Sequence, residues 1–333
     1  MPKLSVVIPV FGVEKYIKRC ARSLFLQNLP DIEFIFVDDC TPDRSIEVLR
    51  SVIDEYQSHI SAMNWKIRIE RMPMNSGQAA VRQYGVKLAT GDYVTHCDSD
   101  DWLEPEAYLR MYNEAISGNL DLLFCDFYKS SDTIRVHCAR LGNVLPEKDV
   151  VLKAMLTGVL PSHSIWSVMC RRSLYDNITF PTGAMAEDWC MVFQLLFLSD
   201  SKLGYVREPL YNYYVNAESI SFNPRQIKDS SIVDKRIRNC RYMVDNCNIV
   251  IGFLDRMGAT SQYEKLYVNT KLRAKRLLCR MVNDKKVYQL WCSIYPEIKG
   301  HVLFNRHVTM NNRMMYLTTY LRIYPLLTRL FLK

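Results

Sequence analysis

Short runs of β-branched and aromatic residues alternate with longer stretches whose apolar residues recur at helical spacing. "SVVIPV" (5–10) is a continuous apolar run and predicts a buried strand. "EFIFVDD" (33–39) predicts a second strand, ending in Asp38 and Asp39. "IRIERM" (67–72) alternates and predicts a third, and "DYVTHCD" (92–98) predicts a shorter fourth. Between them, Tyr16, Ile17, Cys20, Leu24 and Phe25 form a helical core stripe within 14–27. "TPDRSIEVLRSVIDEY" (41–56) predicts a helix with Thr41 as N-cap and Pro42 at its first position. "NSGQAAVRQYGVKLATG" (75–91) predicts another, stopping at Gly91. Strand–helix–strand alternation with links of this length implies right-handed crossovers and a mostly parallel α/β sheet flanked by helices. Ligands of such sheets sit beyond the C-terminal strand ends, where Asp38, Asp39 and the run from Asp98 to Asp101 fall.

Further along, 120–128 and the aromatic-rich 203–216 predict extended segments. Residues 186–200 predict a helix with acids in its first turn, where the macrodipole favours them. From about 224 the pattern is helical and basic.

Composition changes this picture little; charge changes it more. The chain has 333 residues, 49% hydrophobic and 23% charged, enough for one large globular domain or two ordinary ones. Its 11 cysteines are irregularly spaced with no C-x-x-C pair, which argues against a zinc ribbon or dithiol motif and for a reducing compartment. The start "MPKLSVVIPV" lacks a signal-peptide core, and no run of about 18 apolar residues occurs. The expected location is cytoplasmic. The net charge of +8 conceals a split: residues 1–222 hold 22 Lys and Arg against 28 Asp and Glu, whereas 223–333 hold 21 against 7. The expected organisation is therefore 1–222, with halves 1–105 and 106–222, followed by a basic helical region, 223–333. The basic region faces something anionic on this reading.

The candidate chemistry centres on "THCDSDDWLEP" (95–105), with aspartates at 98, 100 and 101. Like charges this close repel. A solvated turn is one reading; a site for a hard cation such as Mg²⁺ or Mn²⁺, completed by phosphate oxygens, is the other. No G-x-G-x-x-G follows the first strand and no Walker loop occurs, so dinucleotide and P-loop sites are excluded.

In order and spacing, "SVVIPVFGVEKYIKRCARSLFLQ", "FIFVDDCTPDRS" and "NSGQAAVRQYGVKLATGDYVTHCDSDDWLEP" resemble glycosyltransferase family 2, inverting nucleotide-sugar-dependent enzymes of GT-A fold. "SIWSVMCRRSLYDNITFPTGAMAEDWCM" (164–191) and "YNYYVNAESIS" (211–221) extend the likeness to about two thirds of the chain. The resemblance implies that Pro9, Val10 and Phe11 form the loop over the nucleotide base, that Glu14 lies on the same loop and helix start within the nucleotide-sugar site, and that Asp39 hydrogen-bonds the base, uracil being the usual one. It implies that Asp98 lies near the ribose and diphosphate, and that Asp100 is the main metal ligand with Asp98 beside it. Asp101 supports the metal or meets the donor sugar, Arg82 helps hold the donor, and Asp188 is the catalytic base with Glu187 beside it. Departures are Gln83 where many members have Asn, "DDCTPDRS" in place of the commoner glycine-containing loop, and Asn216 and Glu218 near where some relatives place a histidine.

Glycosyl transfer needs the leaving diphosphate neutralised and a carboxylate to take the acceptor proton, and one base implies inversion. Each residue also has a plainer reading: helix-start acids at Asp38–Asp39 and Glu187–Asp188, a helix-surface Arg82, packing roles rather than sugar platforms for Trp166 and Trp189, and for Tyr211, Tyr213 and Tyr214 a strand packed on the core rather than a lining of the acceptor cleft. The expected acceptor is a saccharide or lipid-linked saccharide of a bacterial surface glycan. The basic amphipathic segment 303–333, interrupted by Pro325, either docks on the protein or lies on an anionic membrane surface. A nucleotidyltransferase and a non-catalytic nucleotide-binding protein are the competing functions; no nucleic-acid-binding module is present.

Overall fold

The computed structural model describes residues 2–160, 162–199, 202–215 and 230–331. Asn216, Glu218 and the expected boundary at 222–223 lie outside the described residues. The chain divides into two compact units. One comprises Met1–Leu152, Leu160–Phe180 and Met191–Phe222; the other comprises Lys153–Val159, Pro181–Cys190 and Asn223–Lys333. Two short stretches from within the first 222 residues thus belong with the basic region.

The first unit is built on one nine-stranded sheet. Its strands are β1 (Leu4–Val10), β2 (Ile32–Asp38), β3 (Lys66–Arg71), β4 (Tyr93–His96), β5 (Trp102–Leu103), β6 (Leu122–Ser130), β7 (Arg135–Cys138), β8 (Val168–Arg171) and β9 (Gly204–Tyr214). They run in the order β3-β2-β1-β4-β8-β6-β9-β5, with β7 paired to β6. Helices α1 (Ile17–Leu24), α2 (Ser45–Glu55), α3 (Gln57–Ala62) and α4 (Gln78–Leu88) connect the first four strands, which pair in parallel. Beyond β4 the sheet is mixed: β8 is antiparallel to both β4 and β6, and β6 and β9 are parallel. Parallel pairing holds where a crossover helix separates successive strands, and it lapses where the helices cease to alternate. α5 (Ala107–Ser117), α6 (Lys148–Thr157) and α7 (Glu187–Leu198) complete the helices up to β9.

β1 and β2 are apolar along almost their whole length because both sheet faces are covered. β3 is an edge strand: Ile67 and Ile69 pack on the core, and Lys66, Arg68, Glu70 and Arg71 keep the edge charged. At the N-terminal end of the strands Glu33 is buried, and its carboxylate accepts bonds from the Ser5 hydroxyl, the Thr90 amide and hydroxyl, and the Gly91 amide. Gly91 does not end α4, which stops at Leu88 with Ala89 extended. Gly91 is instead required by close approach: a Cβ there would lie 2.7 Å from the Ser5 amide nitrogen.

The predicted cap of the second helix also moves. α2 begins at Ser45, and Thr41 and Asp43 form the turn before it. Cys40, standing where the family commonly has glycine, takes the left-handed conformation at φ 56°, which costs a non-glycine residue about 1–2 kcal/mol. Its thiol donates to the Met72 carbonyl at 3.1 Å. The loop thus keeps the shape that the missing glycine would have given it.

The second unit is helical. Its elements include α8 (Ser230–Arg256), α9 (Thr260–Tyr263), α10 (Tyr267–Arg276), α11 (Lys285–Ser293), α12 (Met310–Tyr320) and α13 (Tyr324–Phe331). Trp291, Leu272, Val282, Ile298, Met315 and Tyr316 share its core. Lys275 is buried there and donates to the Trp291 and Ile294 carbonyls at the end of α11. Burial lowers its pKa to about 8. Pro325 does not kink a helix. The chain breaks earlier, at Arg322 with φ 60°, and the proline sits in the first turn of α13, where it loses no hydrogen bond. All eleven cysteines are free thiols. Among the described residues no helix is long and apolar enough to cross a membrane.

Candidate active site

β1 lies between β2 and β4, so strand order reverses there and the C-terminal ends of β1 and β4 open a crevice. The loop after β1 is tied to the loop after β2 by a series of bonds. The Gly12 amide donates to Thr41 Oγ1 at 2.9 Å, Val13 to Ser45 Oγ at 3.0 Å, and Glu14 to Asp43 Oδ2 at 2.9 Å. Glu14 Oε2 accepts from the Arg44 amide at 3.0 Å. Partial burial opposes the charge of Asp43. The Ser45 and Thr41 hydroxyls and the Glu14 and Ser45 amides outweigh it and hold the carboxyl at about 2.

Glu14 is thus a loop brace. Of the three residues expected over a nucleotide base, only Phe11 presents its side chain, at 49% exposure. Val10 is buried because alternate strand residues face the core, and Pro9 is half-buried. Asp39 is buried, with Oδ1 accepting from the Ser76 amide at 2.7 Å and Oδ2 from Gly77 at 2.9 Å. It anchors the start of α4, whose N-cap Gly77 has φ 81°.

The three clustered aspartates at the end of β4 have three different surroundings. Asp98 Oδ1 accepts from Gln78 Nε2 at 3.0 Å and Arg82 Nη2 at 2.7 Å. Gln78 and Arg82 are four residues apart and so lie on one face of α4. Buried Arg82 therefore orients Asp98.

Asp101 is fully buried. Its Oδ1 accepts from the Tyr214 amide and its Oδ2 from the Tyr211 hydroxyl, both at 2.7 Å. The Asp98 amide donates to the same Tyr211 oxygen at 3.0 Å. Burial and the charges of Asp100 and Asp98 push the Asp101 carboxyl far above its ordinary range. It fastens the turn to β9 and does not face the crevice.

Asp100 is the member left between. Burial first, and the Asp98 charge second, raise its pKa to about 6. Its carbonyl accepts from Arg19 Nη2 at 3.0 Å, and that guanidinium lies over the rings of Trp102 (3.8 Å) and Tyr214 (4.4 Å). Trp166 stacks on Tyr211 with ring centroids 4.2 Å apart, a packing role that stiffens the tyrosine.

Asp98 and Asp100 form a two-carboxylate oxygen donor set crowded enough to raise one proton affinity. That chemistry fits a hard divalent cation whose remaining ligands are phosphate oxygens and water. Among the described residues no group of three His, Cys, Asp or Glu side chains is gathered for a metal.

Glu187 and Asp188 open α7 and belong to the second unit. Ala186 before them is left-handed at φ 62°, Glu187 is buried and Asp188 is half-buried. Trp189 is a packing residue whose indole donates to the Met155 carbonyl at 3.2 Å. In the same unit Gly183 is dictated by geometry: φ is 68°, and a Cβ would fall 2.2 Å from the Tyr242 ring.

Gln78 and Arg19 are not evident as site residues in the sequence, although the four-residue spacing to Arg82 is an available signal for Gln78. Tyr211 stands out in the aromatic segment, but its bond to Asp101, 110 positions away, has no sequence signal.

The chain is 31% identical to EpsJ, a glycosyltransferase of Bacillus subtilis, over a match that covers 67% of this chain and 64% of that one. It thus covers less than two thirds of that relative. Among solved structures, TarS of Staphylococcus aureus with UDP-GlcNAc superposes at TM-score 0.57 and 17% identity, over 95% of this chain and 91% of that one. A mannosyltransferase of Pyrobaculum calidifontis with GDP-Man and Mn²⁺ superposes at TM-score 0.50 and 14% identity, over 100% and 88%. Both likenesses support the GT-A fold. The model of "Glycosyl transferase family 2" matches residues 5–186, more than half of the chain. With that match over more than half of its length, the chain belongs to glycosyltransferase family 2.

Proposed function

We propose that the protein is a metal-dependent, inverting transferase. On this reading it moves a sugar from a UDP-sugar to a hydroxyl of a saccharide or lipid-linked saccharide, in bacterial surface-glycan synthesis on the cytoplasmic side of the membrane. The observation that carries the reading is the pair Asp98 and Asp100 at the strand switch point, with Asp100 raised to about 6. A carboxylate held so near another is a standing demand for positive charge.

Asp98, oriented by Gln78 and Arg82, and Asp100 would hold Mn²⁺ or Mg²⁺, as a fold neighbour's complex with Mn²⁺ favours. The bound cation supplies neutralisation of the leaving diphosphate. Phe11 stands exposed on the loop beside the crevice and supplies an apolar face for the base. Asp39 shapes the base pocket through the Ser76–Gly77 turn. The family resemblance and the UDP-GlcNAc complex of TarS support UDP as the nucleotide. Asp188, matching the family base in "FPTGAMAED", takes the acceptor proton. It lies just past the matched stretch, which ends at 186, and its support is the motif, the helix start and the left-handed residue before it. The basic segment 303–333 brings the enzyme to an anionic membrane surface, where a lipid-linked acceptor resides.

The test is thermal shift with UDP, GDP and their sugars, each with and without Mn²⁺, followed by NMR of the product's anomeric configuration. A shift with one nucleotide that needs the cation, and an inverted product, are expected. A cation-independent shift or a retained configuration would overturn the reading.

A further inference from the structure

Helix α12 carries two apolar faces, and among the described residues only one is packed against a neighbour. Met315, Tyr316 and Thr319 face inward, where Tyr316 meets Trp291 at 5.2 Å between ring centroids. Met310, Met314, Leu317 and, just past the helix end, Leu321 recur at spacings of four, three and four residues. At 100° per residue they form one narrow stripe. They face outward, with Met310 66%, Met314 51% and Leu321 55% exposed. Ile323 and Leu326 continue the exposed apolar surface onto α13. A contiguous apolar stripe on an otherwise soluble surface marks an interaction site.

The chemistry around the stripe selects the occupant. Arg276 and Arg280 stand beside Met314, Met315 and Leu327 in a groove of about 460 Å³. Arg322 is exposed at the turn, its guanidinium 4.0 Å from the centre of the Tyr288 ring. No acidic residue follows Glu297, and Glu297 is itself paired with Lys271 at 2.7 Å. A second copy docked through a two-fold axis would bring these arginines against their own copies. An anionic surface would meet them with opposite charge, and the stripe would enter the boundary between headgroups and acyl chains.

We infer that the α12–α13 hairpin is the membrane-docking face of the protein. The stripe Met310–Met314–Leu317–Leu321 inserts into an anionic bilayer, and the Arg276–Arg280 groove takes a lipid phosphate. The inference gives a definite face to the membrane reading of 303–333 and does not depend on the transferase reading.

The full chain is floated with vesicles of phosphatidylcholine alone and with vesicles containing about one third phosphatidylglycerol, a composition that sets up a negative surface potential. Binding to the anionic vesicles only is expected. Met314→Glu with Leu321→Glu should weaken it by at least about tenfold, because two apolar anchors become charges repelled by the lipid. Arg276→Gln with Arg280→Gln should weaken it by about 25-fold, at about fivefold per arginine. All four positions lie at the surface or in an open groove, so unchanged melting temperatures check the fold. An unchanged cation-dependent shift with nucleotide in the same variants separates docking from donor binding. Absence of flotation, equal binding to both vesicle types, or wild-type binding by the glutamate variant overturns the inference. So does a dimer, seen by sedimentation, that the glutamate variant dissolves.

Discussion

The two ends of the parallel strands each gather carboxylates, and they treat them in opposite ways. At the N-terminal end Glu33 is buried alone and receives bonds from Ser5, Thr90 and Gly91. At the C-terminal end three aspartates crowd four positions, and the fold satisfies them unequally. Asp98 is held by Gln78 and Arg82, and Asp101 by Tyr211 and Tyr214; burial and neighbouring charge raise both Asp100 and Asp101, but of the two Asp101 has donors from β9 and is wholly buried. A carboxylate with enough donors serves the fold, and Asp100 is the one proposed for a ligand.

The sharpest way to break that contrast is to neutralise one acid at each end. Asp100→Asn should lower turnover by about 10²–10³-fold while leaving the melting temperature equal or higher, because it removes a repulsion. Glu33→Gln should do the reverse. Its loss of charge-assisted bonds costs about 2–3 kcal/mol, read as an earlier denaturant midpoint, with turnover per folded molecule retained. A folded Asp100→Asn variant with full turnover would erase the distinction. Asp188→Asn tests the proposed base. Turnover should fall about 10²–10⁴-fold with nucleotide affinity unchanged, and equal loss of both would reassign Asp188 to binding.

The pH dependence of the cation-free protein is a smaller effect with a definite sign. Asp100 titrates near 3.8 when unfolded and at about 6 in the fold. Its contribution to stability is therefore fully present below 3.8 and lost as pH rises through about 6. Melting temperature should decline across that window in the parent and not through this group in Asp100→Asn. A divalent cation should stabilise the parent more at about pH 7 than at about pH 5, since only the ionised carboxylate binds it. A cation effect that is flat in pH would contradict the Asp100 assignment.

The smallest test addresses the brace. Tyr211→Phe removes one oxygen that serves both Asp101 Oδ2 and the Asp98 amide. About 1–3 kcal/mol of stability should be lost, with a rise in KM for the donor that exceeds any fall in kcat. Stability loss with unchanged KM would make Tyr211 a core residue only.

Much of the first unit is legible in the chain because β1 and β2 are apolar runs closed by acids or turns, whose burial on both faces leaves few other readings, and β3 alternates as an edge strand does. The cap at Thr41 was misplaced because the hydroxyl found a nearer task, bridging the Gly12 amide and Asp43. Gly91 was read as a helix stop when its reason is a strand amide 86 residues away. The extent of parallel pairing was overstated because strand order beyond β4 depends on pairings between segments far apart, which periodicity does not encode. The same limit applies to Val10, whose side chain the fold buries in the core.

By itself the sequence determined where strands end in acids, that a D-x-D-D turn follows the fourth, and that the last third is basic with an apolar period. These are local facts, set by side-chain chemistry and by spacings of two and of three to four residues. Tertiary structure alone decided how the three aspartates differ, because Tyr211 and Tyr214 arrive from β9 to take Asp101 while α4 supplies Gln78 and Arg82 to Asp98. It likewise decided which face of α12 remains uncovered. A carboxylate's role depends on how many donors reach it and how much water is excluded, and both are counted over neighbours that the chain order keeps far apart.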